Sequence, residues 1–173
     1  MKKIFIVLLV ALPAVAFSQS GMQQEFLGLL GYDEQQIVSL GEAIPEEKFS
    51  WRPAEGVRSV GDVLLHVASA NYMISSGMGF PLPAGIDLAK IESTKGKKEI
   101  LDLVKSSFTF VKENTSKIGD ANLKDKFKLP FGEFSKQSGL LILLNHSGEH
   151  KGQLIAYARM NNITPPWSKK GGE

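Results

Sequence analysis

The chain of 173 residues contains no cysteine. That absence excludes disulfides, thiolate-held zinc and a thiol nucleophile from the protein itself. Beyond residue 17 it has no long apolar run, so no second segment reads as a membrane span. Net charge is also small: 20 Lys+Arg face 18 Asp+Glu. Bulk charge therefore gives no ground for a nucleic-acid partner. Internal repeats and low-complexity tracts are missing too. Histidine is scarce, with three in all, and their arrangement is the most informative thing present.

The N-terminus reads as a leader. Lys2 and Lys3 form a basic start, Ile4 to Phe17 is apolar apart from Pro13, and Ala16-Phe17-Ser18 offers small residues for a peptidase. The run is short for a bilayer span, which predicts a secretory signal over residues 1–18 and a periplasmic or secreted protein. With no cysteine after the run, a lipoprotein leader is not expected. Removing 18 of 173 residues leaves 155 and takes away two lysines, so the mature charge is near zero. Residues 19–173 are a comfortable single domain.

Four helices are predicted. Phe26, Leu30, Ile37 and Leu40 make an apolar stripe from about Met22 to Ala43. A second helix starts at Ser59, where Ser59 and Asp62 resemble a capping box, and ends near Gly77. Its core face is Val60, Val63, Leu64, Val67 and Ile74. Pro81 and Pro83 make 79–85 a surface loop. A third helix spans roughly Lys97 to Ile118 and a fourth Ser138 to Asn161. Between them, Pro130-Phe131-Gly132 suggests a short turn or irregular hairpin. The expected architecture is all-α, a four-helix bundle with long connections.

His146 and His150 are four apart, so they share a helix face one turn apart. Leu143, Leu154 and Tyr157 bracket them, which turns the pair towards the apolar side. His66 sits between Val63 and Val67 and also borders the core. A single histidine in such a place is best read as a satisfied core residue. Three together, two of them at ligand spacing, point to a divalent metal on His66, His146 and His150. Zinc, nickel and iron all suit three imidazoles.

His146-Ser147-Gly148-Glu149-His150 also matches H-x-x-E-H, but that protease class needs a glutamate ligand far downstream and only 23 residues follow. Glu149 reads first as solvent-facing and second as a general base. Gln153 lies nearly on the His150 face, where it either orients a ligand or bonds between helices. Gly152 is expected to allow close helix approach. Trp51 and Tyr157 read as packing residues.

Trp51-Arg52-Pro53-Ala54, Ser59 through His66, Asn145-His146 and His150-Lys151-Gly152-Gln153-Leu154 resemble the DinB superfamily of DinB and YfiT-like proteins. The matching patterns are W-x-P, S-hydrophobic-x-x-h-h-x-H and H-x-x-x-H-[RK]-G-Q, in order along the whole mature chain. The resemblance implies a four-helix bundle with three histidines around a divalent metal, here His66, His146 and His150. Family members include thiol-dependent transferases or isomerases and metal-dependent hydrolases, and most have no known reaction. A secreted location speaks against a thiol cosubstrate.

Two functions are carried forward. One is a metal-dependent hydrolase or transferase, in which the ion polarises a substrate oxygen or lowers the pKa of bound water. The other is a non-catalytic module that buffers, senses or is stabilised by metal. A small-molecule substrate is the expected partner, a homodimer an allowed assembly, and nucleic acid is not expected.

Overall fold

The computed structural model describes residues 21–168; the leader expected over residues 1–18 lies outside them. Four long helices carry the fold: α1 (Gly21–Ala43), α2 (Val60–Gly77), α4 (Lys97–Thr115) and α5 (Lys136–Met160). A one-turn helix, α3 (Leu88–Ile91), precedes α4, and a hairpin, β1 (Lys126–Leu129) with β2 (Gly132–Ser135), leads into α5. Among the described residues, no helix is long and apolar enough to cross a membrane.

The predicted stripes are the core. Phe26, Leu30, Ile37 and Leu40 are buried, as are Val60, Val63, Leu64, Val67 and Ile74. Leu101, Val104, Phe108 and Val111 join them from α4, and Leu140, Leu143, Leu154 and Ala158 from α5. Ser59 caps α2 as its sequence suggested: its hydroxyl accepts from Asp62 N–H at 3.2 Å, and its own N–H donates to Asp62 Oδ2 at 3.0 Å.

The third long helix ends at Thr115, three residues early, although Ile118 is still buried. There Asn114 and Thr115 turn their side chains back onto the carbonyls of Phe110 and Val111, each at 2.8 Å. The connection beyond it is a regular hairpin, with Leu129 paired to Gly132 across Pro130-Phe131. Phe127 and Leu129 alternate inward. They seat against two glycines: a Cβ on Gly77 would lie 2.8 Å from Leu129, and one on Gly139 2.9 Å from Phe127.

Around the bundle, α1 packs on α4, α4 on α2, α2 on α5, and α5 on α1. Successive helices α1 and α2 are therefore diagonal, as are α4 and α5. Crossing a diagonal needs a long connection, which explains the extended segments at 44–59 and 116–135. The order also makes α2 and α5 neighbours, and these two helices carry all three histidines.

Candidate metal centre

His66 lies midway along α2, flanked by buried Val63 and Val67, with its side chain 27% exposed. His150 is buried and His146 half-buried on the facing side of α5. The three rings meet. His146 Nε2 stands 3.2 Å from His66 Nε2 and 3.1 Å from His150 Nε2. One ligand nitrogen from each ring falls within 4.8 Å of the others. Tetrahedral zinc with Zn–N bonds of about 2.0–2.1 Å would set its ligand nitrogens roughly 3.4 Å apart, slightly wider than the two closest pairs.

Hydrogen bonds behind the rings fix where their protons sit. The carbonyl of Arg58 can only accept, and Tyr157 Oη donates to it at 3.2 Å. Tyr157 Oη therefore accepts from Gln153 Nε2, at 2.9 Å. That orientation turns Gln153 Oε1 towards His150 Nδ1 at 2.8 Å, so Nδ1 carries the proton. His150 Nε2 is left with its lone pair facing the cluster. His66 reaches the same state by a shorter route, with Nδ1 3.3 Å from Glu92 Oε1.

His146 completes the test. Its Nδ1 is buried and, among the described residues, has no partner. Its Nε2 faces two fixed lone pairs, and a single N–H cannot serve both well. A cation at the meeting point would use all three lone pairs, so the donor set fits a divalent metal. The ring is also kept neutral: burial, then the charges of His150, His66 and Arg58, lower the His146 pKa to about 4. His66 is lowered too, by burial first, while its bond to Glu92 pulls the other way.

The other candidates fall in different places. Gln153 touches His150, whereas Glu149 is exposed and bonded to none of the three histidines. Gly152 is exposed, and a Cβ there would meet nothing within 4 Å, so it is not a helix-contact glycine. Trp51 packs its ring on Tyr157, with centroids 5.4 Å apart. Tyr157 does more than pack, since it also links Arg58 to Gln153. Its place four residues after Gln153 and seven after His150 was a usable sign of this. Glu92 had none, because the single turn of α3 that delivers it is too short for a periodic pattern.

The DinB superfamily model matches residues 31–154, most of the chain. The chain belongs to the DinB superfamily. A DinB-like protein from Bacillus cereus shares the fold at 24% identity and a TM-score of 0.71, covering 83% of this chain and 95% of that one. YfiT from Bacillus subtilis, described as a probable metal-dependent hydrolase with an unusual four-helix bundle topology, is 15% identical. Its TM-score is 0.66, over 85% of this chain and 92% of YfiT. No curated protein matches.

Proposed function

We propose that this DinB protein holds a divalent zinc, nickel or iron ion on His66, His146 and His150 and acts as a hydrolase or group transferase on a small molecule. The observation that carries this reading is the convergence of the three Nε2 atoms, with the lone pairs of two turned inward by Gln153 and Glu92. When bound, such an ion supplies Lewis-acid polarisation of a substrate oxygen. The chain's own part is to present neutral imidazoles, hold their rings, and keep water off the buried side through Leu143, Val63 and Val67. Exposed Glu149 is proposed as a proton acceptor at the rim, and Gln153 as the residue that holds His150. A periplasmic or secreted setting is part of the proposal, supported by the basic start and apolar run of the sequence over residues 1–18.

One observation favours a second reading, a non-catalytic metal module. Neither nearby carboxylate is free at the triad: Glu92 engages His66, and Glu149 does not reach the cluster. Elemental analysis of the purified protein and H150A tests the shared premise. Near-stoichiometric metal that falls sharply in H150A supports it, and metal-free protein after reconstitution sinks it. Ester and electrophile panels on E149Q and Q153A with metal still bound then divide the readings. Activity lost with metal intact favours the enzyme, and no activity even in wild type favours the module.

A further inference from the structure

The connection from α1 to α2 is tied down where it meets α2. Val60 N–H donates to the Trp51 carbonyl at 3.0 Å, and Gly61 N–H to that of Phe49 at 2.9 Å. Gly61 permits the second contact, since a Cβ there would lie 3.2 Å from the Phe49 oxygen. Trp51 N–H in turn donates to the Lys48 carbonyl at 3.0 Å. This segment is thereby fixed to the start of the helix that carries His66.

From that base it holds Tyr157 of α5 in two ways. The Arg58 carbonyl accepts from Tyr157 Oη, and the half-buried Trp51 ring meets the Tyr157 ring edge-on, with centroids 5.4 Å apart and planes at 77°. That distance and tilt suit the attraction between an aromatic edge and an aromatic face. The hydroxyl bond is the weaker hold. At 3.2 Å it is longer than the usual span of roughly 2.5–3.0 Å between a hydroxyl and its acceptor oxygen. The aim of Oη therefore depends on how the ring behind it is packed, and Trp51 packs it.

That aim decides what lies beyond. Gln153 Nε2 donates to Tyr157 Oη at 2.9 Å, which leaves Gln153 Oε1 to accept from His150 Nδ1 at 2.8 Å. An amide can turn over and exchange its oxygen for its NH2. A reversed Gln153 would offer N–H to His150 Nδ1, move the His150 proton to Nε2, and remove the lone pair that faces the cluster.

We infer that Trp51 is a positioning residue of the metal centre: its ring holds Tyr157 so that Gln153 keeps one orientation and His150 stays in the Nδ1–H form. The consequence for metal binding rests on the metal-centre reading above; the tautomer itself does not.

The test uses wild type, W51F, W51A, Y157F and W51A/Y157F. Nitrogen-15 spectra of histidine-labelled, metal-free protein at about pH 8, where an imidazole is neutral, distinguish Nδ1–H from Nε2–H. Comparison with H150A assigns the His150 signals. Wild type and W51F should show the Nδ1–H form, because phenylalanine still offers a ring to Tyr157. W51A should show a substantial share of Nε2–H, and so should Y157F. In the Y157F background W51A should add nothing, since the hydroxyl through which Trp51 acts is already gone. Metal affinity should follow, with W51A weaker by roughly three- to ten-fold, less than the loss of a partner that touches the ligand itself. W51A/Y157F should bind metal no more weakly than Y157F. An unaltered His150 tautomer in W51A, with only Tm lowered, would make Trp51 a packing residue and overturn the inference. A further loss in the Y157F background overturns it as well. W51L, which keeps apolar bulk without a ring, is held to the same criteria if W51A does not fold. If wild type binds no metal, the metal-centre reading fails on its own, and the metal-free spectra still decide the role of Trp51.

Discussion

His150 and Lys151 are adjacent in sequence and serve two different seams of the bundle. His150 faces α2, where three imidazoles gather. Lys151 faces α1, where it pairs with Asp33, itself only 8% exposed, and lies over the Tyr32 ring at 5.3 Å. Both are polar clusters in a largely apolar bundle, but their balance differs. The α1–α5 pair is self-satisfied: a cation meets an anion across the seam. The α2–α5 cluster is not, since two lone pairs point inward at a ring whose Nδ1 is buried and, among the described residues, has no partner. A polar inclusion that satisfies itself needs nothing further, and one with converging donor atoms calls for an outside group.

The largest break in the comparison should come from H146A. His146 is the ring nearest both others, so two ligands cannot replace three. Metal affinity should fall by more than about a hundred-fold, beyond what losing an orienting partner costs. Competition against a chelator checks this, and near-wild-type affinity would mean that the metal sits elsewhere.

Asp33→Ala addresses the other seam. Leaving Lys151 without its partner should destabilise the fold by roughly 3 kcal/mol, or about 10 °C in Tm. The double variant Asp33→Leu/Lys151→Met should recover most of that loss, because an apolar pair can replace a satisfied ion pair. Metal affinity should barely change in the double variant. Urea denaturation of metal-free protein, with parallel metal titration, measures both. Strong coupling of this seam to metal binding would erase the distinction between the two clusters.

Acid probes the histidine cluster directly. His146 titrates near 4 in the fold against about 6.5 when unfolded. Between those values the unfolded chain binds more protons, so stability rises with pH. The His146 contribution is complete above pH 6.5 and lost as pH falls towards 4. His66 is lowered in the same direction and adds to the slope. Urea midpoints of metal-free protein from pH 7.5 to 4.5 should show this decline, and H146A should flatten it. An unchanged slope in H146A would remove His146 as its source.

The parts of this picture that sequence could supply are local ones. Heptad-like apolar spacing located four helices, Ser59 and Asp62 marked a start, and H-x-x-x-H placed two rings on one face. Non-local features were out of reach. Lys151 and Asp33 are 118 residues apart, and nothing in either neighbourhood names the other. The diagonal placement of α1 and α2 depends on how four similar stripes sort themselves, which periodicity does not encode. Alternating Phe127 and Leu129 hinted at a strand, but two glycines on separate helices decide where it seats.

The remaining predictions compare the supports behind the rings. Gln153 is half-buried, bonded to His150 at 2.8 Å and held in turn by Tyr157. Q153A should cost roughly ten- to a hundred-fold in metal affinity, the usual range for such partners. Y157F should cost less, because the amide can still face His150 without its anchor. Glu92 should matter least. It meets His66 at 3.3 Å, but its side chain is 53% exposed, so water competes for the same nitrogen. E92Q keeps an acceptor and should lower affinity only a few-fold, with E92A somewhat worse. Metal titrations of the four variants in one buffer test the order. If E92Q proved as damaging as Q153A, the exposed support would equal the buried one. Tautomer control at this centre would then come from charge on His66 and not from the polarised chain behind His150.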